Sequence, residues 1–90
     1  SRDPHDLAWA GWAERLRAVL AEQPALANAP GPRGTPPLFS LPDDEDAAAA
    51  VVEVLLAVGA NRTARNAEGE TPAQVARKRG LEDAADLLEG

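Results

Sequence analysis

The chain has 90 residues, with 9 Lys plus Arg against 15 Asp plus Glu, a net charge of −6 and no cysteine or methionine; that length holds one small domain with one modest core. No apolar run approaches the roughly 18 residues that span a bilayer and no signal-peptide h-region opens the chain, while the lack of cysteine excludes disulfides and thiolate metal sites. The negative balance repels nucleic acid at long range, and 20 Ala, 11 Leu and 6 Val with only Trp9, Trp12 and Phe39 aromatic favour close-packed helices over sheets.

Asp3-Pro4 opens the first element, with a side-chain oxygen at a predicted N-cap and proline at N1, where the missing N–H costs nothing. A short helix over Leu7–Ala10 follows, then Gly11, then a helix over Trp12–Ala21 whose buried face is Leu16, Val19 and Leu20. Gly11 either breaks this stretch into a pair or sits within one continuous helix from Asp6 to Glu22, since a mid-helix glycine costs only about 1 kcal/mol. Asn28–Gly34 is rich in Pro and Gly and predicts an extended finger closed by a tight turn at Pro30-Gly31.

Thr35-Pro36 repeats the cap-and-proline start, and the acidic run Pro42–Asp46 leads into a helix over Ala47–Val58. There Val51, Val54, Leu55 and Val58 share one face, and Gly59 ends the helix as a left-handed residue. Asn61–Gly69 predicts a second finger, turning at Asn66–Gly69. Thr71-Pro72 then opens a two-turn helix to Arg79; Gly80 ends it, and Glu82–Leu88 forms a last helix buried through Ala84, Ala85, Leu87 and Leu88. The three starts, at Asp3, Thr35 and Thr71, are 32 and 36 residues apart, the scale of a helical repeat.

Gly59-Ala60-Asn61, followed after five residues by Ala67-Glu68-Gly69-Glu70-Thr71-Pro72 and a helix, resembles the ankyrin repeat. The middle unit matches through Gly34, Thr35, Pro36, Val51, Val52, Leu55, Leu56 and Gly59-Ala60-Asn61, and the last through Gly69, Thr71, Pro72, Val75, Ala76, Gly80, Leu87 and Leu88. A degenerate first unit keeps Pro4, Leu7, Ala8, Gly11, Leu16 and Leu20, with Pro24-Ala25 at its exit. The family's histidine after Thr-Pro-Leu is replaced by Leu38 and Gln74, and Pro42–Asp46 fills a connection about three residues longer than the family's usual one. The resemblance implies an all-α ankyrin-repeat solenoid of three helix-turn-helix units, approximately 1–30, 31–66 and 67–90, with short finger loops and polar capping at both ends. A chain that opens on Ser1 reads as processed or as a segment of a longer protein.

Residues that could carry chemistry are few. His5 is the only histidine, and without a cysteine or a serine-bearing elbow it reads as a solvated side chain in a first helical turn; no catalytic residue is assigned. Pro32 removes an N–H that a phosphate cradle around Gly31 and Gly34 would need. Asp43, Asp44, Glu45 and Asp46 lack the interleaved spacers and glycine of a calcium loop, so they read as acids complementing a helix N-terminus, one of them a cap, with a basic partner as the alternative; no metal and no cofactor is expected. Arg77-Lys78-Arg79, with Arg62 and Arg65 in the preceding finger, either complements a helix C-terminus or meets an anionic stretch of a protein partner, while nearby Glu68, Glu70, Glu82 and Asp83 cancel most of the field that nucleic acid would need. Trp12 is expected to seal the thin core, whereas Trp9 either covers the end of the stack or protrudes as an interface anchor.

These readings lead to an expectation of binding without catalysis. The resemblance implies a protein-interaction module that is cytoplasmic and monomeric on its own, whose partner is another protein, with no nucleic acid and no membrane, acting as scaffold, regulator or interaction domain of a larger chain. It carries over as partner-binding residues Trp9, Pro32, Arg33, Asp43, Asp44, Arg65, Glu68, Glu70, Lys78 and Arg79, at the finger tips and inner-helix ends. An immunity-like inhibitor of a partner enzyme and a self-associating structural domain are the alternatives.

Overall fold

The computed structural model describes residues 4–31 and 35–89; Asp3, Pro32, Arg33 and Gly34, which carry part of the sequence reading, lie outside the described residues. The described chain is helical throughout, with no strand. We number its α-helices α1 (Pro4–Trp9), α2 (Ala13–Glu22), α3 (Glu45–Ala57), α4 (Pro72–Lys78) and α5 (Glu82–Glu89), joined by 3-10 turns over Pro24–Asn28 and Pro37–Phe39.

Three of these helices end in the same way. Gly11, Gly59 and Gly80 have φ of 75, 88 and 80°, and behind each the next N–H reaches back to an earlier carbonyl: Trp12 to Leu7 at 3.0 Å, Ala60 to Leu55 at 3.0 Å, Leu81 to Ala76 at 2.9 Å. Each glycine's own N–H bonds the carbonyl one residue further on, at 3.0 to 3.1 Å. This is the Schellman arrangement, which satisfies the last carbonyls of a helix and needs a left-handed residue that glycine adopts without a Cβ penalty. Gly11 therefore breaks the first stretch into α1 and α2, and the single helix from Asp6 to Glu22 does not form.

Two helix starts, those of α3 and α4, are set by side-chain caps. Thr71 heads α4 in a reciprocal capping box: its Oγ1 accepts from the Gln74 N–H at 3.3 Å, and Gln74 Oε1 accepts from the Thr71 N–H at 3.0 Å. Asp44 caps α3 by accepting from the Ala47 N–H at 2.9 Å. The Thr35-Pro36 start is corrected. Pro36 precedes Pro37 and is held extended at φ −72 and ψ 169°, so Pro37 is the first helical residue and Thr35 does not cap it. Pro42 bars Leu41 from helical backbone in the same way, so the stretch before α3 holds only a single 3-10 turn.

Packing arranges the elements in two rows. The Pro37–Phe39 turn sits between α1 and α4, forming an inner row; α3 sits between α2 and α5, forming an outer row; α1 packs on α2, the turn on α3, and α4 on α5. One core cluster runs between the rows, with Leu7, Leu16, Leu20, Leu38, Leu41, Val51, Val52 and Leu55 at 2% exposure or less. Ala8, Ala48, Ala84 and Ala85 are wholly buried, which lets helix backbones approach where larger side chains would hold them apart.

Two residues depart from their expected burial. Trp12, expected in the core, is 49% exposed with the Arg15 guanidinium 5.0 Å over its ring; as the residue after Gly11 it is fixed by its backbone bond to Leu7, and its side chain stays outside. His5, expected in solvent, is buried, and its Nε2 lies 3.0 Å from the Ala29 carbonyl oxygen. A carbonyl only accepts, so Nε2 carries the proton of that bond.

Candidate functional site

Of the two expected fingers, the second, over residues 61–69, is described in full and closes beside the inner row. In the second, Asn66 organises the turn: its N–H bonds the Glu70 carbonyl at 3.0 Å, its Oδ1 accepts from the N–H groups of Glu68 and Glu70 at 3.0 and 2.9 Å, and Gly69 returns a bond to its carbonyl at 3.0 Å. Asparagine suits this position because its short amide can imitate a backbone group two to four residues on. Arg65 spans the same turn, donating to the Gly69 carbonyl at 2.7 Å. The first finger has a matching closure, Gly31 N–H to Thr35 carbonyl at 2.8 Å, and the ring of His5 packs against Gly31 from α1.

Between the second finger and the inner row lies an open groove of about 550 Å³. Asp6 and Trp9 line it from α1, Phe39 and Ser40 from the middle unit, Val75, Lys78 and Arg79 from α4 and its end, and Glu68 and Glu70 from the second finger. Trp9 is the most exposed large apolar side chain described, at 58%, and the Arg79 guanidinium sits 5.5 Å over its ring. That guanidinium also donates to Asp43 Oδ1 at 2.7 Å, joining α4 to the acidic connection before α3.

The expected binding residues divide into three groups. Trp9, Glu68, Glu70, Lys78 and Arg79 line the groove, and Asp43 reaches it through Arg79. Asp44 is occupied as the α3 cap, and Arg65 braces the finger from outside the groove lining. Pro32 and Arg33 lie outside the described residues.

Ion pairing accounts for the basic run. Arg77 reaches Glu82, Asp86 at 3.3 Å and Glu89 at 2.9 Å along one face of α5, and these carboxylates raise its pKa above the ordinary arginine value. Lys78 pairs with Glu70 at 2.8 Å. The hydrogen bond from Lys78, assisted by Asn66, lowers the Glu70 pKa, and the same bond raises that of Lys78. The acids before and within α3 are used structurally too: Glu45 Oε1 accepts from the Asp83 N–H at 2.9 Å, capping the first turn of α5 from a neighbouring helix, a role that the local reading of the acidic run missed. Among the described residues no group of three or more His, Asp or Glu is placed to hold a metal ion, and no helix is long and apolar enough to cross a membrane.

Asn28 is a further residue that the sequence reading passed over. Its Oδ1 accepts from the Asn61 N–H at 2.7 Å and its Nδ2 donates to the Gly59 carbonyl at 3.2 Å, tying the segment after α2 to the segment after α3. Compared with known proteins, the chain matches no family model and no curated sequence.

Proposed function

We propose that the chain is an ankyrin-like repeat domain that binds another protein in the groove between its second finger and inner row, acting in the cytoplasm as a scaffold or regulator. The repeat reading draws support from the two-row order of α1, the 3-10 turn and α4 against α2, α3 and α5, and from the matching finger closures at Gly31–Thr35 and Asn66–Glu70. One observation carries the binding reading. Trp9 is 58% exposed inside a groove, although the core is short of aromatic side chains; such a ring gains by desolvation against a partner. Paired charges of both signs around it suit a specific polar rim rather than a purely electrostatic surface.

Site-specific photocrosslinking in the source cell tests the placement. A benzophenone amino acid at Glu68, in the groove, is expected to give discrete adducts with one protein. The same group at Arg17, on exposed α2 of the outer row, is expected to give none. Adducts from position 17 alone would place the partner on the opposite side.

A further inference from the structure

The groove's own contacts indicate what kind of side chain it accepts. Resting on the binding reading above, we propose that its partner presents an arginine-bearing cationic segment, with one guanidinium stacked on the uncovered part of the Trp9 ring and paired with Glu68.

Three observations converge. First, Trp9 already holds one guanidinium, that of Arg79, 5.5 Å above its ring, and Asp43 completes that arrangement with a 2.7 Å ion pair. The ring and carboxylate together make a site for a planar cation, and with Trp9 still 58% exposed a second can be received on what Arg79 leaves open. Second, among the described residues the carboxylates outnumber the cations: Glu68 and Glu70 line the groove and Asp43 is joined to it, against Lys78 and Arg79. Both cations are already held, Lys78 by Glu70 and Arg79 by Asp43, so an anionic partner would have to displace an internal carboxylate from each. Third, Glu68 lines the groove with its backbone pinned by Asn66 at the finger turn, and its carboxylate lies beside that of Glu70, so two carboxylates there meet the single charge of Lys78. The net charge of −6 steers a cationic segment in the same direction.

Arginine is favoured over lysine because a guanidinium is planar, weakly hydrated and able to stack while its edge donates to a carboxylate; an ammonium gives up more hydration for the same ring. Three synthetic hexapeptides serve as probes, alternating glycine with arginine, lysine or glutamate. They are titrated into a Trp12→Phe chain, so that fluorescence reports Trp9 alone, and binding is repeated by calorimetry in Trp9→Leu and Glu68→Gln chains. The expected result is saturable quenching by the arginine peptide below about 1 mM, at least tenfold weaker binding of the lysine peptide, none of the glutamate peptide, and a fivefold or greater loss in each variant (about 1 kcal/mol).

Three results would overturn the proposal: no saturation by the arginine peptide, equal binding of arginine and lysine peptides that is indifferent to Trp9→Leu, or preference for the glutamate peptide. Circular dichroism of each variant separates lost binding from lost folding. If the photocrosslinks from position 68 form while the arginine peptide fails, the groove stands as the binding face and only the cationic partner chemistry falls.

Discussion

Replacing Gly31 with alanine should destabilise the chain through one side chain, His5. A Cβ at position 31 would lie 2.5 Å from His5 Cδ2, 2.7 Å from Nε2 and 2.9 Å from Cγ, closer than nonbonded atoms approach. Gly31 is not among the positive-φ glycines, so alanine has no backbone objection there and the ring must move. Movement breaks the 3.0 Å bond from Nε2 to the Ala29 carbonyl, at about 1 kcal/mol, and overpacks the site by about 1–3 kcal/mol. The expected loss is about 2–4 kcal/mol, read by urea denaturation, with a fall in melting temperature of roughly 10 °C or more. In a His5→Ala background the same substitution should be neutral or stabilise by about 0.4–1 kcal/mol, because the obstruction is gone and the unfolded chain has less freedom. Equal losses in both backgrounds, or no loss in the chain that keeps His5, would refute the packing account.

Asp44→Ala should cost about 1 kcal/mol by removing the α3 cap, while Asp46→Ser, with no bond of its own to lose, should cost no more than about 0.5 kcal/mol; paired thermal melts distinguish them. Glu45→Gln should preserve most of the α5 first-turn bond and Glu45→Ala should lose it, seen as faster amide exchange at Asp83. The Glu70–Lys78 pair gives stability a defined pH profile. The folded pKa of Glu70 is depressed, so its contribution is present above the unfolded carboxylate pKa and is lost as pH falls through the lower folded value; that of Lys78 is raised, so its contribution is lost only as pH rises through a folded value above the ordinary lysine range. Glu70→Gln should therefore flatten the acid limb of a stability–pH curve, and an unchanged limb would dismiss the pair as a stabilising element. Deleting residues 70–90 should leave a largely unfolded remainder, because Val51, Val52, Val54 and Leu55 of α3 share one core cluster with Ala73, Leu81, Ala84 and Leu88; a cooperative melt of the truncated chain would contradict this.

The fold was legible wherever one residue type answers a local backbone need. Gly11, Gly59 and Gly80 mark helix ends because the left-handed position excludes most other residues, and Thr71-Pro72-Ala-Gln74 carries both halves of a capping box within four residues. Legibility failed where the deciding contact is distant in sequence. His5 looks like an exposed first-turn residue until Ala29, 24 positions away, supplies its acceptor. Asn28 reads as loop until the Asn61 and Gly59 backbone comes beside it, and Glu45 reads as a dipole acid of its own helix until Asp83 arrives from α5. Pro36-Pro37 was a local signal of another kind: the second proline, not the first, fixes where helical backbone begins. Within the groove, Trp9, Glu68, Glu70, Lys78 and Arg79 could each be singled out in the sequence, whereas their meeting in one groove and the Arg79 bridge joining Asp43 to Trp9 needed the packed structure.

Binding in the groove is tested most directly by comparing two double variants against the isolated natural partner. Trp9→Ala with Glu68→Ala removes the exposed ring and the finger carboxylate, neither of which belongs to the core, and should weaken the partner at least tenfold, about 1.4 kcal/mol, with the circular dichroism unchanged. Arg15→Ala with Arg17→Ala, on the exposed side of α2, should leave affinity within about twofold of the unaltered chain. Loss of binding in the α2 pair with full affinity in the groove pair would contradict the account and move the interface to the outer row.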